Sequence, residues 1–91
     1  MKLERYWFIL FPADRFGARN FGVTAYSKKE AKGLIIESLK NHNLQQLIEN
    51  LTDDTEVIEN IDIRLLDKNH VIPNIGVVAF KGVWFPNLGA R

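Results

Sequence analysis

Glu4-Arg5-Tyr6-Trp7-Phe8-Ile9-Leu10-Phe11 is the stretch on which the fold turns. In an extended chain Tyr6, Phe8 and Leu10 point to one side, and Trp7, Ile9 and Phe11 to the other. A strand apolar on both sides is either central and covered twice, or keeps one face for a partner. Pro12 removes a ladder donor and ends it. The run falls well short of the roughly 20 apolar residues of a membrane-spanning helix. It is also too short and too aromatic for a secretory signal, and no small-residue cleavage site follows it. With no cysteine in the chain, these features predict a cytoplasmic protein without membrane contact.

Outward from that strand, Arg19 to Tyr26 alternates. Phe21, Val23 and Ala25 share one face; Asn20, Gly22, Thr24 and Tyr26 share the other. The short connection through residues 12–18 predicts an antiparallel hairpin. Ser27-Lys28-Lys29-Glu30 fits a capping box. Ala31, Leu34, Ile35, Ser38 and Leu39 follow at helical spacing, which predicts a helix ending near Lys40. Asn41-His42-Asn43 breaks the apolar phase. A second helix is predicted over Leu44–Leu51, with Asn43 and Gln46 as its capping pair.

A third strand is expected over Val57–Leu66, with Ile61, Ile63 and Leu65 buried, and Asp67-Lys68-Asn69 then turns the chain. In the tail, Val77-Val78-Ala79-Phe80 reads as the best strand. Val83-Trp84-Phe85 reads as a short extension or second edge, and Gly82 as the mark of a β-bulge. The order β-β-α-α-β-β predicts one α+β domain over residues 1–91. Its expected architecture is a small antiparallel or mixed sheet of about three to five strands, with two helices packed on one face.

The 91 residues are 46% hydrophobic and 25% charged, the balance of a folded globule. Twelve Lys plus Arg against eleven Asp plus Glu leave a net charge of +1, so bulk charge gives no push toward nucleic acid or an anionic membrane. The absence of cysteine excludes disulfides, thiolate metal sites and a cysteine nucleophile. Two histidines are too few for a histidine-built metal site, and neither a metal nor another cofactor is expected.

Asp67 and His70 are the one histidine–carboxylate pair close in sequence. A catalytic role would have Asp67 orient the imidazole as a general base. No nucleophile or glycine-rich cradle lies nearby, and the pair reads as part of a polar turn. Asp53, Asp54, Glu56 and Glu59 lack the spacing of a calcium loop. Lys28, Lys29 and Lys32 read as a solvated helix start. In the hairpin loop, Arg15, Phe16 and Arg19 are ligand candidates, because arginines beside an aromatic suit a phosphate or carboxylate and a stacked base.

The most informative feature is an aromatic surplus near the two termini: Tyr6, Trp7, Phe8, Phe11, Phe80, Trp84 and Phe85. Trp84 and Phe85 cannot both point inward from a regular strand. The second face of strand one has three possible covers: the C-terminal segment folded back, a second copy of the chain, or a different partner. Trp7, Ile9, Phe11, Trp84 and Phe85 are accordingly the expected interaction surface. The leading expectation is a non-catalytic module that self-associates or binds a protein partner through that face. The alternative is single-stranded nucleic acid stacked on strand aromatics beside Arg15 and Arg19. A small enzyme built on His70 and Asp67 ranks third.

Overall fold

The computed structural model describes residues 2–52 and 54–86. Four strands, β1 (Glu4–Ile9), β2 (Phe21–Ala25), β3 (Glu56–Glu59) and β4 (Gly82–Phe85), form one antiparallel sheet in the order β3-β1-β2-β4. One α-helix, α1 (Lys28–Asn41), packs on one face. The α+β class holds, and β1 is a central strand as its two apolar faces require.

Helix α1 starts where the capping pattern places it. Ser27 Oγ accepts the Glu30 amide at 3.1 Å. The Glu30 carboxylate takes the Tyr26 amide at 2.8 Å, one residue earlier than in the standard reciprocal box. Ala31, Ile35 and Leu39 of its stripe are buried against Tyr6, Phe8, Leu10, Phe21, Val23 and Ala25.

The second predicted helix is absent: residues Gln45–Asn50 form a 3-10 segment without a side-chain cap. The reason lies in Asn43. It adopts φ +60° as the left-handed residue after α1, where asparagine can replace glycine. The Asn43 amide donates to Lys40 O and the Leu44 amide to Leu39 O at 2.8 Å, the paired bonds of a Schellman ending. With Asn43 closing α1, it cannot open another helix. Leu44, Leu47, Ile48 and Leu51 still pack on the first core, as their stripe demanded.

Strand β3 is also shorter than expected. Asn60 turns at φ +57°, and Asp62 Oδ1 accepts the Arg64 amide at 3.0 Å, which starts a 3-10 turn over Ile63–Leu65. Ile61 is buried but Leu65 is exposed, because the alternation stops with the strand. Residues 77–80 are not a strand either. Residues 77 and 78 end a long excursion from Ile61 to Val78, whose buried side chains lie over the second face of the sheet.

That excursion closes a second core around Trp7, Ile9, Ile61, Leu66, Val71, Trp84 and Phe85. The Trp7 and Trp84 rings stack at 5.9 Å between centroids, and Phe85 lies 5.8 Å from Trp7. Both Trp84 and Phe85 are buried, which a regular strand would forbid. Gly22 pairs with Phe85 and Val23 with Val83, so Trp84 is an extra residue on β4. This bulge lets adjacent side chains serve the same core. It sits at Trp84 rather than at Gly82, whose φ of +143° suits a glycine for a different reason, the entry into the strand.

Gly22 is required by close approach. A Cβ there would stand 2.4 Å from the Trp84 ring. Gly22→Ala is therefore expected to destabilise by about 1–3 kcal/mol. Thermal unfolding followed by circular dichroism should show a melting temperature lower by at least about 4 °C.

Candidate functional site

The hairpin between β1 and β2 is organised by one buried amide. Asn20 is fully buried. Its Oδ1 accepts the amides of Leu10 and Phe11 at 2.9 and 3.0 Å. Its Nδ2 donates to the Asp14 carbonyl and, more weakly, to those of Arg15 and Gly17 at 3.3 Å. One side chain thus ties the end of the first strand to the whole loop. The pull on residues 10 and 11 also explains Phe11. It packs against the helix-side core instead of joining Trp7 and Ile9, because β1 ends at Ile9 and the alternation ends with it.

The three ligand candidates of the loop part company. The Arg15 guanidinium pairs with both carboxylate oxygens of Glu56 on β3, and this bond holds Glu56 below the usual carboxylate range. The Arg15 carbonyl accepts Trp7 Nε1 at 2.7 Å. Phe16 packs, half-buried, on the second core. Arg19 alone keeps a free cation: among the described residues it makes no ion pair, and its guanidinium lies 4.6 Å over the Phe11 ring.

Arg19 and Phe11 line an open cleft of about 280 Å³ with Ala18, Phe21, Leu44, Leu47 and Pro86. Asn20 also borders it, with its polar atoms already engaged in the loop. The hairpin supplies one wall and the 3-10 segment the other. The walls are apolar, and no acidic side chain lines them. Sequence reasoning found Arg19 but not Leu44 and Leu47, whose stripe reads equally well as core.

Of the expected interaction surface, Trp7, Ile9, Trp84 and Phe85 are all buried within the chain. The cover is the chain's own segment, the first of the three possibilities. Only Phe11 keeps part of its surface. The exposed large apolar side chains are others: Phe80 at 71%, Val77 at 64%, Leu65 at 58% and Tyr26 at 42%. Thr24 Oγ1 donates to the Val78 carbonyl at 2.6 Å, which holds this segment beside β2. Thr24 pairs with Gly82, the last pair of the β2–β4 ladder. Lys81 Nζ lies 5.9 Å from the Tyr26 ring centroid and 3.5 Å from Glu30.

Asp67 and His70 do come together, at 3.1 Å between Oδ2 and Nδ1. The same carboxylate caps the turn by accepting the amides of Asn69 and His70 at 2.8 and 3.1 Å. Those bonds, the Asn69 amide first and the His70 side chain next, lower the Asp67 pKa. His70 is largely exposed. No group of three or more metal-ligating side chains gathers among the described residues, and no helix among them is long and apolar enough to cross a membrane.

Comparison with protein-family models, with characterised proteins and with solved structures finds no match to this chain.

Proposed function

We propose that this chain is a small non-catalytic interaction module that pairs with a second copy of itself through Tyr26, Val77 and Phe80. The observation that carries this reading is Phe80, 71% exposed, with Val77 at 64% three residues before it in the chain. It stands out in a chain whose sheet is already covered on both faces. Exposed aromatic and aliphatic side chains are typical anchors of protein contacts.

The rim of the patch supports a second copy as the occupant. Lys81 and Glu30 set opposite charges side by side. A two-fold axis beside this pair would set Lys81 of one copy against Glu30 of the other, the self-complementarity that such a dimer requires. A net charge of +1 leaves little long-range repulsion between copies. The non-catalytic part rests on Asp67, whose carboxylate is taken up by the turn. A cysteine-free sequence supports a cytoplasmic setting. Base stacking has less support, because Trp7 and Trp84 lie under the chain and Arg15 is paired with Glu56.

Sedimentation equilibrium across a range of concentration tests this. The wild type is expected to form a dimer, and Phe80→Asp to weaken it at least about tenfold. Lys81→Glu should also weaken it, and Lys81→Glu with Glu30→Lys should restore it. A wild type that stays monomeric, or a Phe80→Asp variant that dimerises unchanged, contradicts the reading.

A further inference from the structure

We propose that the cleft between the hairpin loop and the 44–51 segment binds a small carboxylic acid with an apolar, ring-bearing body. This site lies away from the Phe80 patch and does not depend on self-association.

Three observations carry the assignment. The first is size and lining. The cleft holds about 280 Å³; a cavity of about 150 Å³ accepts benzene, so one aromatic ring and a short acid arm fit. Phe11, Phe21, Leu44 and Leu47 offer that ring apolar walls.

The second is charge. Arg19 is the single charged lining residue and makes no ion pair among the described residues, while its guanidinium rests on the Phe11 face. A guanidinium held against an aromatic ring keeps its fork of donors for a carboxylate. The Ala18 and Arg19 backbone amides also make no internal hydrogen bond among the described residues. The lining therefore carries a cationic donor and no acidic side chain to answer it. A neutral or cationic ligand leaves these donors unanswered; a carboxylate answers them.

The third is rigidity. Asn20 fixes the loop at both ends, and the Schellman bonds fix Leu44. Both walls are set before a ligand arrives, which lowers the ordering cost of binding.

The test uses two probes of equal shape, 4-phenylbutanoate and its neutral amide, titrated into the full chain at neutral pH. Backbone amide resonances of Ala18, Arg19, Leu44 and Leu47 are followed by two-dimensional NMR. The acid is expected to give saturable shifts at these positions, with an affinity at least about tenfold above that of the amide. Arg19→Gln, an exposed substitution that leaves the fold intact, should bring the acid down to the amide's level. Leu47→Asp, which lines the opposite wall, should abolish binding of both. Equal binding of acid and amide overturns the proposal. So does undiminished acid binding by Arg19→Gln, saturation centred elsewhere, or no saturable shift with either probe.

Discussion

Trp84→Ala is expected to cost about 3–5 kcal/mol. A domain of this size has about 5–14 kcal/mol of stability in all, so the variant should lose a large share of it and melt far below the wild type. Trp84 is 1% exposed, stacks on Trp7 and covers Gly22. Its removal opens a cavity between the excursion and the sheet that neither side can close.

A paired comparison makes the prediction sharper. Trp84 Nε1 is buried without a hydrogen-bond partner among the described residues, whereas Trp7 Nε1 donates to the Arg15 carbonyl at 2.7 Å. Trp84→Phe removes an unanswered donor along with some packing. Trp7→Phe removes similar packing and leaves the Arg15 carbonyl with only its weak bond from Asn20 Nδ2. Trp7→Phe should therefore be the more damaging, by about 1–2 kcal/mol. Urea unfolding of the two variants checks the order, and the reverse order contradicts the assignment of the two indoles.

Asn20→Ala is the second large effect, about 3 kcal/mol or more. It strands the Leu10 and Phe11 amides at once, while the Asp14 carbonyl keeps the Gly17 amide at 3.0 Å. Each unanswered buried group costs about 1–3 kcal/mol. Asn20→Asp should do no better: it keeps the acceptor but sets a carboxylate oxygen against the Asp14 carbonyl. Equilibrium unfolding gives the total. Hydrogen exchange gives the location, since Leu10 and Phe11 amides should lose protection before the centre of β1. Loss spread evenly along β1 would mean that Asn20 acts through the core and not through the loop.

Much of the architecture is legible in β1. Its two apolar faces require two covers, and both exist. The hairpin, the α1 start and the α1 stripe follow from local patterns that tertiary packing does not oppose. The failures share a cause, which is that one residue type has more than one use. Asn43 and Asn60 are read from sequence as cap and strand face, yet each takes a left-handed conformation and ends an element. Val77-Val78-Ala79-Phe80 has strand composition, but pairing needs a partner edge and the chain places this segment across a face. The Trp84 bulge adds one residue of pairing that no alternation pattern reveals. The candidate sites were legible only in part. Arg19 was in view, but the cleft needs Leu44 and Leu47 brought to it from 25 or more residues away. Phe80 was counted among the surplus aromatics, and its exposure follows from the excursion rather than from its neighbours.

Residues 61–78 close the second face of the sheet within a single chain, so association must use other surfaces. Acrylamide quenching of tryptophan fluorescence, at a concentration where light scattering reports a monomer, tests it most directly. Both Trp7 and Trp84 are then expected to be shielded, with blue-shifted emission that acrylamide quenches poorly until the protein unfolds. Ready quenching of either tryptophan in the folded monomer would mean that the face is open, and would return Trp7 and Trp84 to the role of a docking surface.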